Sequence, residues 1–163
     1  MFTTQLTGLF KRIEEKGEFS FEDGARLLAQ APAGDGSLYI FGLGEMKAVE
    51  AEALEGAEPL KGAKVLTDVE ALRAADRVLL FTRFGEDAAE LSGKLLEKEI
   101  PFVSVSTGVV ENADVHIDLG LKKGLLPDDA GNRFGYPSSM AALYVYYGLK
   151  FTIDEILAEY EEE

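Results

Sequence analysis

The stretch Ser37-Leu38-Tyr39-Ile40-Phe41-Gly42-Leu43-Gly44-Glu45-Met46 decides the fold. Leu38, Tyr39, Ile40 and Phe41 are bulky and apolar, and suit a strand covered on both faces, as parallel strands are when helices lie over each side of a sheet. Gly42 and Gly44 let the chain turn sharply and bring bare backbone close to whatever sits above the strand end. The helical pattern that follows aims its first unpaired N–H groups and the positive end of its dipole into the same space. This order of strand, tight turn and helix suits a phosphate or carboxylate site; it also serves as a plain α/β connection.

Before the strand, Phe2, Leu6, Leu9, Phe10 and Ile13 make one apolar stripe at helical spacing that ends near Gly17. Ser20 with Asp23 opens a second helix over residues 21–31, and Pro32-Ala33-Gly34-Asp35-Gly36 closes it. The stripe needs a cover, either its own sheet or a second subunit. After the glycine turn, residues 45–55 read as a helix and residues 63–66 as a short strand. Thr67-Asp68-Val69-Glu70 is a capping box opening a brief helix. Residues 77–82 form another buried strand, which ends in a second glycine turn, Thr82-Arg83-Phe84-Gly85-Glu86, before an amphipathic helix. Residues 101–106 and 115–119 are the fourth and fifth strands. Residues 120–135 are irregular and hold Lys122, Lys123 and Arg133. Pro137-Ser138-Ser139 starts a helix to about residue 147, and Thr152-Ile153-Asp154-Glu155 caps a last one.

Five short strands alternating with helical segments predict one α/β domain over residues 1–163. N-terminal helices occupy residues 1–31, a doubly wound five-stranded parallel sheet residues 37–119, and an irregular loop with C-terminal helices residues 120–163. In such sheets ligands sit beyond the carboxyl ends of the strands. That rule gathers Gly42, Gly44 and Glu45, then Thr82, Arg83, Gly85 and Glu86, then Ser104, Ser106 and Thr107. Ser138 and Ser139, at a helix start, are N-caps that can also face a ligand.

The 163 residues, 47% of them hydrophobic, suffice for one core without disulfide or metal staples. The absence of cysteine excludes disulfides, thiol nucleophiles and cysteine metal sites, and points to a reducing, cytoplasmic setting. The longest apolar runs fall short of the ~20 residues that span a bilayer. With 16 basic and 30 acidic residues the formal charge is −14, and no basic stripe is present, so neither nucleic acid nor anionic membrane is an expected partner. The same field repels phosphorylated metabolites at long range. An anion site must therefore depend on local donors and cations, for which Arg83, Lys122, Lys123 and Arg133 are the candidates.

The order of elements, the Ile40-Phe41-Gly42-Leu43-Gly44 turn, the strand-turn-helix over residues 79–91, the strand over residues 100–106 and the Pro137-Ser138-Ser139-Met140-Ala141 helix entry resemble the sugar isomerase (SIS) domain superfamily. Within it the chain is most similar to the phosphoheptose-isomerase-like branch, and more closely still to a small bacterial family of that fold. The resemblance implies five parallel strands, homodimers or homotetramers, and recognition of phosphosugars by isomerases or by regulatory modules. The phosphate loop of many SIS domains reads Ser-x-Ser-Gly-x-Thr. Thr82 and Gly85 match it here, whereas Phe84 lacks the second hydroxyl and Asp87 replaces the third. Phosphoheptose isomerases use a glutamate after the glycine turn, whose place falls on Ala53 or, with a one-residue slip, on Glu52, and a late-helix histidine, which this chain lacks.

The sole histidine, His116, shares a strand face with Asp118 and could act as a base with its orienting partner, or serve only structure. One histidine among scattered carboxylates is a poor zinc set, so neither a metal nor another cofactor is expected. Dinucleotide binding is disfavoured because Lys47 occupies the place of the third glycine of that fingerprint. These readings predict a protein that binds a phosphorylated sugar or similar small anion at the strand ends. It acts either as an aldose–ketose phosphate isomerase with Glu45, Glu52 or His116 as base, or as a non-catalytic binding module.

Overall fold

The apolar run of residues 38–41 builds the strand β1 (Leu38–Gly42), which pairs in parallel with β2 (Lys64–Val65) on one side and β3 (Arg77–Phe84) on the other. With β4 (Phe102–Thr107) and β5 (Val115–Asp118) it completes a five-stranded parallel sheet of order β2-β1-β3-β4-β5. A computed structural model describes residues 1–162 of this chain. The strand order reverses between β1 and β3, and such a switch point opens a crevice at the carboxyl ends of the two strands.

Alternation along the strands divides the core in two. Ile40, Leu79, Phe81, Val103, Val105 and Ile117 face a layer made by the helices α1 (Phe2–Ala33), α2 (Lys47–Glu55) and α4 (Ser138–Glu162). Val78, Leu80 and Phe102 face the other way, toward the helix α3 (Ala89–Glu97) and a three-residue 3-10 turn, Val69–Ala71. A short antiparallel ladder, β6 (Leu126–Pro127) with β7 (Arg133–Phe134), lies in the segment that reads as irregular. No helix among the described residues is long and apolar enough to cross a membrane.

Two expectations are corrected. The N-terminal region is one continuous helix of 32 residues, not two. Gly17 does not end it; this glycine is buried, and a Cβ there would lie 3.0 Å from the Phe21 ring, so its smallness serves close packing. Likewise α4 runs unbroken for 25 residues through Thr152, whose hydroxyl donates back to the Gly148 carbonyl (2.9 Å) within the helix instead of capping a new one. Most of the apolar stripe of α1 is covered within the chain: Leu9 and Ile13 are buried and Phe10 stacks on Tyr144 with ring centroids 4.6 Å apart, while Phe2 stays exposed.

One carboxylate ties the entry of the sheet together. Asp76, 1% exposed, accepts the backbone N–H of Ser37 (2.8 Å) and of Arg73 (2.8 Å). Burial opposes its charge, but these two N–H donors and the Arg73 guanidinium at 3.5 Å prevail and hold the carboxyl below its ordinary value of 3.8. A depressed carboxyl stabilises the fold above the unfolded-state pKa and loses that effect as pH falls through the folded one. Asp76→Asn is therefore expected to cost about 1–3 kcal/mol in urea unfolding at pH 7. The gap from wild type should narrow below pH 3.8; a gap that does not change with pH would refute the assignment.

Candidate functional site

At the end of β1 the chain turns so tightly that a Cβ on Gly42 would lie 2.2 Å from the Met46 carbonyl oxygen. Gly44 follows at φ +63, a left-handed conformation that favours glycine. The 3-10 turn Gly44–Met46 carries Glu45 outward over the crevice. From the end of β3, Arg83 reaches back across 38 residues of sequence and donates from Nε (3.1 Å) and from a terminal guanidinium nitrogen to the same Glu45 oxygen. The carboxylate bond and its charge raise the Arg83 pKa further. Phe84, Tyr136 and Ser138 complete a cleft around this ion pair. Ser138 is buried at the first turn of α4, where backbone N–H groups lack helical partners.

The other strand-end hydroxyls brace the loops. Thr82 donates to the Phe84 carbonyl (2.8 Å) and Ser106 to the Gly108 carbonyl (2.9 Å), while Thr107 accepts the Leu121 N–H (2.9 Å). Gly85 packs so closely on the neighbouring loop that a Cβ would sit 2.1 Å from the Val109 carbonyl oxygen. Glu86 and Lys122 are exposed and Ser139 is half-buried; none of the three lines the Arg83 cleft. Arg133 is occupied with the Gly124 and Leu125 carbonyls (2.7 and 3.0 Å).

The three candidate bases stand apart. Glu45 lines the switch-point cleft. Glu52 lies on α2, in a separate cleft shared with Leu143 and Tyr147 of α4, and accepts a 2.6 Å hydrogen bond from the Tyr147 hydroxyl. His116 sits beside Ser104 on the neighbouring strand, with Nδ1 2.7 Å from that hydroxyl. Its Nε2 is 3.6 Å from Asp118 and, among the described residues, has no hydrogen-bond partner. Asp118 is itself engaged by the N–H groups of Gly108 (3.1 Å) and Gly120 (2.7 Å). No group of three histidine or carboxylate side chains able to hold a metal ion occurs among the described residues. Sequence reading passed over Tyr136 and Tyr147, because a tyrosine in an irregular loop and one in an apolar helical stripe carry no motif.

Residues 1–157 match the family model described as a domain of unknown function (DUF2529). The chain belongs to this family. The uncharacterized protein YwjG of Bacillus subtilis (strain 168) is 46% identical over 170 residues, covering 98% of each chain. Among solved structures, the Vibrio vulnificus NanR protein complexed with ManNAc-6P aligns with a TM-score of 0.65 at 15% identity, over 98% of this chain and 64% of that one. The phosphoheptose isomerase GmhA from Neisseria gonorrhoeae aligns with a TM-score of 0.61 at 16% identity, over 93% and 97%. At such identities the likeness is one of fold, and this DUF2529 chain has an α/β SIS-like fold. The sugar isomerase domain of an RpiR transcription factor from Sphaerobacter thermophilus also shows it (TM-score 0.65, 16% identity, over 99% of this chain and 89% of that one).

The Tyr147–Glu52 contact makes a spectroscopic prediction. The hydrogen bond to Glu52, followed by burial and the charges of Glu52 and Glu58, raises the Tyr147 pKa above its ordinary value of 10.0. Glu52→Gln should bring the Tyr147 ionisation back toward that value in an ultraviolet pH titration. Tyr147→Phe should remove that titration component; the same curve in all three proteins would disprove the coupling.

Proposed function

We propose that the cleft between the ends of β1 and β3 binds the phosphate of a phosphorylated sugar. The observation that carries this reading is the Arg83–Glu45 pair: a guanidinium at the switch point of the sheet is held by a carboxylate, for which a phosphate is the natural substitute. Ser138 and the first N–H groups of α4 supply neutral donors beside it. The DUF2529 fold is shared with a protein complexed with ManNAc-6P and with a phosphoheptose isomerase, which supports the same ligand class.

Displacement from Arg83 leaves Glu45 free next to the sugar. As a base it takes the proton from the carbon next to an aldose carbonyl while the carbonyl oxygen takes one from water, giving an enediol. The ketose forms when Glu45 returns its proton to the first carbon and the hydroxyl on the second carbon gives its proton up to water. A non-catalytic binding module is the second reading, favoured because Glu52 and His116 are committed to Tyr147 and Ser104 outside this cleft.

A melting panel tests both. Fructose 6-phosphate, sedoheptulose 7-phosphate and N-acetylmannosamine 6-phosphate should each be compared with the unphosphorylated sugar. A true ligand at ~100 times its Kd adds ~2.7 kcal/mol and raises the midpoint by roughly 5 to 11 °C. Arg83→Met should abolish the shift, and a flat panel for wild type would overturn the proposal. Loss of turnover in Glu45→Gln with the shift retained selects the isomerase; binding without turnover selects the module.

The protein works in this reading as a homodimer or homotetramer in the cytoplasm. Phe2 of α1 and Met140 and Phe151 of α4 stay exposed after these two helices have packed together, leaving apolar surface for pairing of copies. Met140→Glu combined with Phe151→Glu should lower the mass seen in sedimentation velocity; an identical profile would remove this surface from consideration.

A further inference from the structure

The two faces of the sheet are covered unequally. Two long helices, α1 and α4, and the nine-residue α2 lie over one face, but between β2 and β3 the chain supplies only the 3-10 turn Val69–Ala71 for the other. Strands are ~4.8 Å apart and a helix with its side chains is ~10 Å across, so one helix covers about two strands. α3 serves β3 and β4, and a strip about one helix wide is left above β1 and the adjoining edge of β3. It forms a cleft of about 520 Å³. Phe41, Leu43, Leu66, Leu80 and Leu91 make an apolar floor, with Leu43 42% exposed.

The rim is acidic. Asp68, Glu70, Asp87, Glu90 and Glu97 line it; Lys94, which pairs with Glu90 at 3.3 Å, is the cation among the lining residues, and Lys98 reaches the Glu70 carbonyl from beside it. Lys47 and Lys64 lie over the rings of Phe41 and Tyr39 at the β1–β2 margin, outside the lining. We infer that this face docks a basic amphipathic helix from another protein, its apolar side on the Leu43 floor and its lysines or arginines on the carboxylate rim. Charge complementarity selects this occupant. A second copy does not supply the charge: the chain carries −14, the exposed bases of α1 are interleaved with Glu14, Glu15 and Glu18, and α4 ends in Glu159, Glu161 and Glu162. Anionic membranes and nucleic acids are repelled by the same rim.

The test uses the full chain and a fluorescein-labelled leucine/lysine helix of about 18 residues, roughly five turns, with leucines on one face. A scrambled peptide of the same composition controls for general attraction to an acidic protein. Fluorescence anisotropy should show the amphipathic probe binding about tenfold more tightly than the scramble, a difference equivalent to ~1.4 kcal/mol. Glu70→Lys with Glu97→Lys, both exposed and so neutral to folding, should remove that preference, whereas Glu14→Lys with Glu18→Lys on the opposite face should keep it. Leu43→Asp should act like the rim pair. Equal affinity for probe and scramble, or equal effects of the two charge reversals, would overturn the inference. Self-association of the wild type that Leu43→Asp abolishes would overturn it too, by showing that a second copy covers this face. None of these readouts depends on Arg83, so the docking face and the phosphosugar site stand or fall separately.

Discussion

The structure depends on backbone packed directly against backbone at the ends of two strands. Gly42 presses on the Met46 carbonyl and Gly85 on the Val109 carbonyl, at places where any Cβ would come within 2.2 and 2.1 Å of an oxygen. Ordinary contacts between carbon atoms are ~3.5–4.0 Å, so no side chain fits without moving a turn. These two approaches pull the turn after β1, the turn after β3 and the loop after β4 into one layer. The N–H of Leu43 bonded to the Phe81 carbonyl (3.0 Å) fastens the first to the second. Glu45 and Arg83 meet because of this, not because of any attraction acting along the chain.

The same compactness explains why strand-end hydroxyls turn inward. A loop without regular ladder bonds leaves carbonyl and N–H groups that must find partners when buried. Thr82, Ser106 and Thr107 fill that need for the Phe84 carbonyl, the Gly108 carbonyl and the Leu121 N–H. Each of these side chains is at most 5% exposed, so its hydroxyl is already spent on the frame. Cleft polarity then falls to groups that the frame does not consume: the Arg83 guanidinium, the Glu45 carboxylate, and the start of α4.

The sheet was legible because its signals are local and agree with each other. Apolar runs of strand length, glycines at their ends and helical spacing between them all point to parallel strands, and the five strands fall within a residue or two of the expected places. Helix ends were not legible in the same way. Ser20 and Thr152 carry capping chemistry, yet α1 and α4 run through them, because tertiary packing of Gly17, Gly24 and Gly148 against neighbouring side chains rewards continuing the helix. A Cβ on Gly148 would lie 2.6 Å from the Phe21 ring, so these glycines mark helix contact, not helix termination. For the candidate site, the glycine turns bring Glu45 and Arg83 together at the edge of the sheet where the sequence places them. Which carboxylate would meet Arg83 depends on how the turns after β1 and β3 pack, and that Tyr147 would occupy Glu52 depends on how α2 and α4 lie together; no local pattern encodes either.

The charge balance of the cleft limits what can enter it. Arg83 feels Glu45 first and Asp87 beside it, and Glu86 lies exposed on the same turn, so its surroundings carry more negative charge than its own positive charge cancels. A monoanion replacing Glu45 would gain little, since it exchanges one carboxylate contact for another and leaves Glu45 unpaired. A dianion does better, because its second charge draws on the N-terminal dipole of α4 and the Ser138 donor, which Glu45 leaves unused. Neutral donors add no repulsion against the acidic rim and lose little to salt screening compared with a distant lysine. In the proposed reading the Glu45 lock thus lets a cleft of net negative surroundings discriminate by ligand charge, a physical route to selecting phosphate esters over carboxylates.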